Sequence, residues 1–392
     1  MTLAGRHTDT AAGAHPLARY RREFPIFQGG IYLNTCSLGA LGERTRRRVT
    51  EFLDVWQRRG ASAWYDVWWS ALGELRGRYA RVVNAGPAEI ALAPSISVAL
   101  SAVAEALDYA RRPRVVVTSL DFPTVAYQWL AKRPRGVELV VVESPDRVSV
   151  PVEAIARAVD ERTALVATSH VYFTSGAIQD IAAVAEAAHR HGALVLVDAY
   201  QSVGQLPVDV QATGVDFLTA GGLKWLLGGP GIVFLYAREE QARRLAPQIA
   251  GWFSHKNQFA FDPHSLELHD DARRFELGTP SLAAVYAQLG GLDYIEEIGV
   301  PAIRRVTAGL TEDLIERARE RGFRPKVAPR AADRSAIVML PAADPAAGVR
   351  RLAAAGIVAD ARPGHVRLSP FFYNLQDDHV AALEQLAPDG DH

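Results

Sequence analysis

Six short runs of this chain are apolar at almost every position: "RVVVTSL" (114–120), "ELVVVES" (138–144), "TALVATSH" (163–170), "ALVLVDAY" (193–200), "DFLTAG" (216–221) and "GIVFLYA" (231–237). A strand with one wet face alternates apolar and polar residues. Runs without that alternation belong to strands covered on both faces. Helical patterns lie between several of them. "IQDIAAVAEAAHRHG" (178–192) is one, with Gly192 placed to close it. Strand and helix in alternation predict an α/β fold built on a mainly parallel sheet with helices on both faces. "GIVFLYA" follows "DFLTAG" after only a short loop, so one strand is expected to run antiparallel. After about residue 290 the pattern changes. A long helix over roughly 296–322, the run "SAIVMLP", the helix "PAAGVRRLAAAG", the segment "IVADARPGHVRLSP" and a final helix read as a smaller α+β domain.

Composition narrows the classes of function. The 392 residues suit two or three structural units. With 49% hydrophobic and 22% charged residues, a large packed core is expected. The formal net charge is -1 and no long basic run stands out, so neither nucleic acid nor an anionic membrane is an expected partner. A single cysteine excludes an intramolecular disulfide and a cysteine-cluster metal site, and fits a reducing cytosol. The first residues lack the apolar core of a signal peptide, and no stretch approaches the roughly 20 apolar residues of a membrane span. A cytoplasmic protein with a disordered lead-in over residues 1–15 is the expectation. Among 11 histidines the one close pair is His189/His191, at a helix end, and no metal is expected.

In sheets of this kind ligands sit beyond the carboxyl ends of the strands. That selects Ser119 to Thr124, Ser169 to Gly176, Asp198 to Gln201, and Lys224. Asp198 ends an apolar strand, where an aspartate is either a helix cap or a functional carboxylate. Lys224 stands in "TAGGLKWLLGGPG" among glycines, leucines and a tryptophan. Stripping water from an ammonium lowers its pKa and makes it a nucleophile toward carbonyls. A carboxylate to keep a pyridine nitrogen protonated and a lysine to carry an aldehyde carbon are together what pyridoxal 5'-phosphate needs.

"LVLVDAYQSVGQLPVDVQATGVDFLTAGGLKWLLGGPGIVFLY" (194–236) resembles the core of the class V aminotransferase family of fold-type I pyridoxal phosphate enzymes. That family includes cysteine desulfurases, kynureninases, isopenicillin N epimerase-like proteins and true aminotransferases. The resemblance runs from about residue 20 to the end, with kynureninase-like members nearest. It implies an N-terminal arm over 1–40 joining the small domain, a large cofactor-binding domain over 41–290 and a small domain over 291–392. In "SLDFPTVAYQW" it assigns Phe122 to the face of the pyridine ring. In "APSISVALSAVAEAL" it places Ile96 and Ser97 at the phosphate, at a helix start whose serines are also ordinary caps. "SHVYFTSG" brings Ser175 or Thr174 near the cofactor 3-hydroxyl, which Gln201 would also bond.

From "GWFSH" and "RRFELGTPS" the resemblance sends Trp252 and Thr279 to the phosphate of a partner subunit's cofactor, implying a homodimer with a shared active site. Asn34 and Ser37 of "YLNTCSLGAL" become substrate contacts, and Arg367 of "VRLSPFFYN" the partner of the substrate carboxylate. "WYDVWW" (64–69) has the spacing of a buried helix face or interface rather than a substrate platform.

The chain also departs from the family. A desulfurase needs a mobile thiol in its second half, and the only cysteine is Cys36. Desulfurases place Ser-x-His before the lysine, and kynureninases place a tyrosine there. Here stand Gly221, Gly222 and Leu223, so those phosphate contacts are missing. The expected function is a pyridoxal phosphate lyase that cleaves a β-substituent of an l-amino acid. The alternative is a class V aminotransferase, or an epimerase or decarboxylating variant. A second cation for a dicarboxylic partner would fall to Arg273 or Arg274.

Overall fold

The computed structural model describes residues 15–388. All but the last residue of the expected lead-in, 1–15, lies outside that range. The central sheet has seven strands: β1 (Ile90–Ala93), β2 (Arg114–Thr118), β3 (Glu138–Val142), β4 (Thr163–Ser169), β5 (Leu194–Asp198), β6 (Phe217–Gly221) and β7 (Val233–Ala237). Their spatial order is β1-β7-β6-β5-β4-β2-β3. Only β7 runs against its neighbours, pairing antiparallel with both β6 and β1. The six apolar runs are six of these strands. The seventh, β1, was not anticipated: its four residues, "IALA", carry two alanines and too little β-branched content to stand out.

Both faces of the sheet are covered. Val115 and Val117 of β2 pack into one apolar cluster with Leu100 and Val103 of the helix Ile96–Ala104, while Val116 between them packs into the other. That is the period of two, buried on both sides. The helix Ile181–His189 covers one face and ends through Gly192, whose φ of +67° suits glycine.

A second sheet holds β8 (Val338–Pro341), β9 (Asp360–Arg362) and β10 (His365–Leu368), antiparallel in the order β9-β10-β8. The N-terminal segment reaches it, because Ile31–Tyr32 pair in parallel with Ile357–Val358 and Leu33 joins its apolar cluster. The long helix expected over 296–322 is instead two, Leu282–Ile298 and Val300–Glu320. Gly299, at φ +81°, turns the chain between them, and Pro301 takes a first-turn position where no backbone N–H is needed. Among the described residues no helix is long and apolar enough to cross a membrane. In the "WYDVWW" stretch Trp68 is buried and Trp69 stacks on Phe253 with ring centroids 5.3 Å apart, while Tyr65 is exposed.

Candidate active site

The carboxyl ends of β1, β2, β4, β5 and β6 converge on one cavity of about 470 Å³. Lys224, Asp198, Gln201, Phe122, Ile96, Ser97 and Ser37 all line it, brought together from segments up to 187 residues apart in chain numbering (Ser37 to Lys224). The loop after β6 carries Lys224. The N-terminal segment straps it down, with Gly39 N–H donating to Leu223 O at 2.8 Å. A Cβ on Gly39 would stand 2.2 Å from Lys224 O, so only glycine allows that approach.

Among the described residues the Lys224 ammonium makes no hydrogen bond or ion pair. It faces the ring of Tyr200 with Nζ 4.6 Å from the centroid. Burial is the main cause that brings its pKa down to about 8. The charge of Asp198 and the nearby Cys36 thiol work against that fall, and the cations Arg367 and Arg362 add to it. Asp198 is buried at the end of β5. Its Oδ1 accepts from Tyr200 N–H at 2.9 Å, and among the described residues Oδ2 takes no hydrogen bond. Burial raises its pKa, against the pull of that N–H and of Lys224.

The helix Ile96–Ala104 points its first turn into the cavity. Ser95 caps it, its hydroxyl accepting from Val98 N–H. The N–H groups of Ile96 and Ser97 stay outside the helical ladder and are available to an anion. The Ser97 hydroxyl lies 2.9 Å from that of Thr124. Phe122 is 45% exposed, lines the cavity and meets Phe173 in a T-shaped pair with ring centroids 5.1 Å apart. The Gln201 amide is already engaged. It donates to Cys36 O and accepts from Trp225 Nε1, each at 2.9 Å, tying the N-terminal segment to the lysine loop.

Other expected residues lie elsewhere. Ser175 faces away from the cavity: its hydroxyl donates to Val148 O at 2.7 Å and accepts from Ala177 N–H, so it holds the 172–177 turn. Thr174 does not line the cavity either. Asn34 does not line it, and its backbone forms an isolated parallel bridge with Ser369. Trp252, with its Nε1 donating to Gln258 O, and the exposed Thr279 are outside the cavity of their own chain.

Arg367 is fully buried and saturated with partners. Its Nε and Nη2 meet the Asp360 carboxylate at 2.9 and 2.7 Å, Nη2 also donates to Ser37 Oγ at 2.6 Å, and Nη1 donates to Phe173 O at 3.1 Å. The guanidinium that lines the cavity is Arg362, which shares Asp360 at 3.1 Å. Arg274 spends its donors on the carbonyls of His269, Arg243 and Leu245, and Arg273 is paired with Asp271, so neither is a free cation. His189 is bonded to Asp216 at 2.8 Å. Sequence reasoning selected the stretch that holds Tyr200 but gave Tyr200 no role, and it missed Arg362 and Asp360. The signals were a phenol two residues past Asp198 and the acidic-basic pattern "DAR" before "HVRL".

Comparison with known proteins agrees with this fold. The family model described as Aminotransferase class-V matches residues 48–381. The chain is similar to the uncharacterized aminotransferase YcbU of Bacillus subtilis, 34% identical over 95% of this chain and 98% of that protein. It is similar to kynureninase of Geobacillus thermodenitrificans, 30% identical over 76% of this chain and 72% of that one. Among solved structures it resembles the apo cysteine desulfurase of Thermococcus onnurineus NA1, with a TM-score of 0.86 at 22% identity over 96% and 98% of the two chains. The fold and site define a fold-type I pyridoxal phosphate enzyme. The chain belongs to the class V aminotransferase family.

The residues present fit pyridoxal 5'-phosphate. A buried carboxylate with one unpartnered oxygen suits the pyridine nitrogen, and an amine of lowered pKa suits the aldehyde. The exposed ring of Phe122 suits the pyridine ring, and a helix start with spare N–H groups suits the phosphate.

Proposed function

We propose that this enzyme is a lyase that removes a β-substituent from an l-amino acid, by C–S or Cβ–Cγ cleavage, in the manner of a kynureninase-like relative. The observation that carries the reading is the cation inventory of the cavity. Arg273 and Arg274 are spent elsewhere, and Arg367 and Arg362 share one aspartate. That leaves charge for one substrate carboxylate, between walls formed by Phe122, Val171, Phe173 and Leu223. Such a site favours one carboxylate and an apolar or soft side chain, an aryl ketone or a thioether, over the dicarboxylic acid a transaminase commonly uses as second substrate.

Pyridoxal phosphate, when bound, supplies an electron sink for charge released at the substrate Cα. Asp198 holds a proton on the ring nitrogen, and Phe122 covers a ring face. Ile96 and Ser97 would donate to the phosphate, and Gln201 would serve the 3-hydroxyl. Lys224, as a free amine, would take the proton from the substrate Cα as general base. Arg362, which lines the cavity and shares Asp360 with the buried Arg367, would orient the carboxylate, with Ser37 beside it. Trp252 and Thr279 complete the phosphate site of a second copy in a cytoplasmic homodimer.

The test adds single amino acids to the cofactor-loaded enzyme without any keto acid: kynurenine, cysteine, cysteine thioethers, alanine and glutamate. A lyase turns over repeatedly and releases the β-fragment while the cofactor absorption persists. One turnover followed by bleaching to the amine form of the cofactor would overturn the lyase reading in favour of transamination.

A further inference from the structure

Resting on the pyridoxal phosphate reading above, we infer that Tyr200 is a phosphate-binding residue, its hydroxyl donating to the cofactor phosphate beside the helix start at Ile96. Three observations converge on it. The first is a vacancy made for its ring. A Cβ at Gly221 would stand 2.4 Å from Tyr200 Cε2, so the end of β6 carries glycine where the ring lies across it. No backbone conformation demands that glycine, because its φ is not positive.

The second is direction. The same point at Gly221 is 2.8 Å from Val233 Cγ2. Gly221 pairs with Val233, and Val233 pairs with Ala93 at the end of β1. Ala93 leads through Pro94 and Ser95 straight into the helix at Ile96. The ring therefore reaches from the end of β5 to the end of β6, beside the strand pair that delivers the helix start. Its Cε2 edge already lies over Gly221, and the hydroxyl stands one carbon further along the ring from that edge. Tyr200, Ser95, Ile96 and Ser97 line the same cavity.

The third is an unspent donor. Among the described residues the Tyr200 hydroxyl has no hydrogen-bond partner, although its backbone N–H is bound to Asp198. Burial and the Asp198 charge push its pKa up, so it remains a proton donor at neutral pH. A dianion is the ligand such a donor serves, and a charge-assisted bond is the strong kind. The need is plain as well. Gly221, Gly222 and Leu223 offer no side-chain donor, and Trp252 and Thr279 lie outside the cavity of their own chain.

The experiment compares pyridoxal 5'-phosphate with pyridoxal, which lacks the phosphate, on the apo-protein. Binding is read by cofactor absorbance and tryptophan quenching, for the wild type and Tyr200→Phe. Phenylalanine keeps the ring over Gly221, and a thermal melt of each apo-protein confirms the fold. Affinity of the variant for pyridoxal phosphate is expected to fall about tenfold or more, with affinity for pyridoxal unchanged. Equal losses for both ligands, or none for either, would overturn the assignment. A wild type that binds neither ligand would overturn the pyridoxal phosphate reading itself, a different result.

Discussion

Lys224 offers a quantitative handle, because its amine must be neutral to attack an aldehyde. With a pKa of about 8, about a quarter of Lys224 is neutral at pH 7.5. At the ordinary lysine value of 10.5 only about one molecule in a thousand would be. The site therefore gains about two hundredfold in reactive amine at that pH, chiefly from burial. The perturbation is pH, and the assay is the initial rate at which apo-protein takes up dilute pyridoxal phosphate covalently, trapped by borohydride and located by mass spectrometry. The rate should rise with pH and level off through a midpoint near 8.

Arg362 is one of the cations that lower this pKa, so Arg362→Gln should move the midpoint upward. The sign follows from removing a positive neighbour that disfavours the ammonium. A wild-type midpoint near 10.5, or label distributed over surface lysines, would refute the claim that this cavity activates Lys224.

Two further expectations concern stability. Arg76 meets the buried Glu276 carboxylate at 2.7 Å, so Arg76→Met strands that carboxylate and should cost about 3–5 kcal/mol at pH 7 by urea unfolding. Burial already raises the folded pKa of Glu276 above its unfolded value, and losing Arg76 raises it more. Glu276 then favours folding while protonated in acid and opposes it as pH rises through the folded pKa, so the loss should shrink between pH 7 and pH 4.

Asp360→Asn removes the counter-charge of the buried Arg367 and should cost about 3 kcal/mol at pH 7. The pKa of Asp360 is lowered in the fold, where the pull of Arg367 and Ser37 outweighs its burial. Its stabilisation is present above the unfolded pKa and is lost as pH falls through the folded one. Wild type and variant should therefore converge as pH falls through the folded pKa, and a gap that does not narrow at all in acid would show that the carboxylate charge is not what holds Arg367.

What could be read from the sequence is what local pattern encodes. Runs such as "RVVVT" and "LVLVD" gave the parallel strands, because burial on both faces leaves a residue-by-residue signature. Asp198 and Lys224 stood out because charged groups ending such runs need a reason. Ser175, Asn34 and Arg367 show the limit. Each was placed by resemblance to a motif, and motif position says nothing about which way a side chain turns or what already occupies its donors. Arg367 is held by Asp360, seven residues away across a hairpin, by Ser37 at the other end of the chain and by the carbonyl of Phe173. No window of sequence contains that set.

Tyr200 and Gly221 make the same point from the other side. Each is unremarkable alone: a tyrosine after an aspartate, a glycine in a glycine-rich loop. Only the strand register that lays β6 beside β5 turns the missing Cβ of one into room for the ring of the other. Specific chemistry in this chain is therefore to be sought in such coupled pairs, where a small residue on one strand end permits a large one on the next. Substitutions that change both members together should retune cofactor grip while leaving Asp198 and Lys224 untouched.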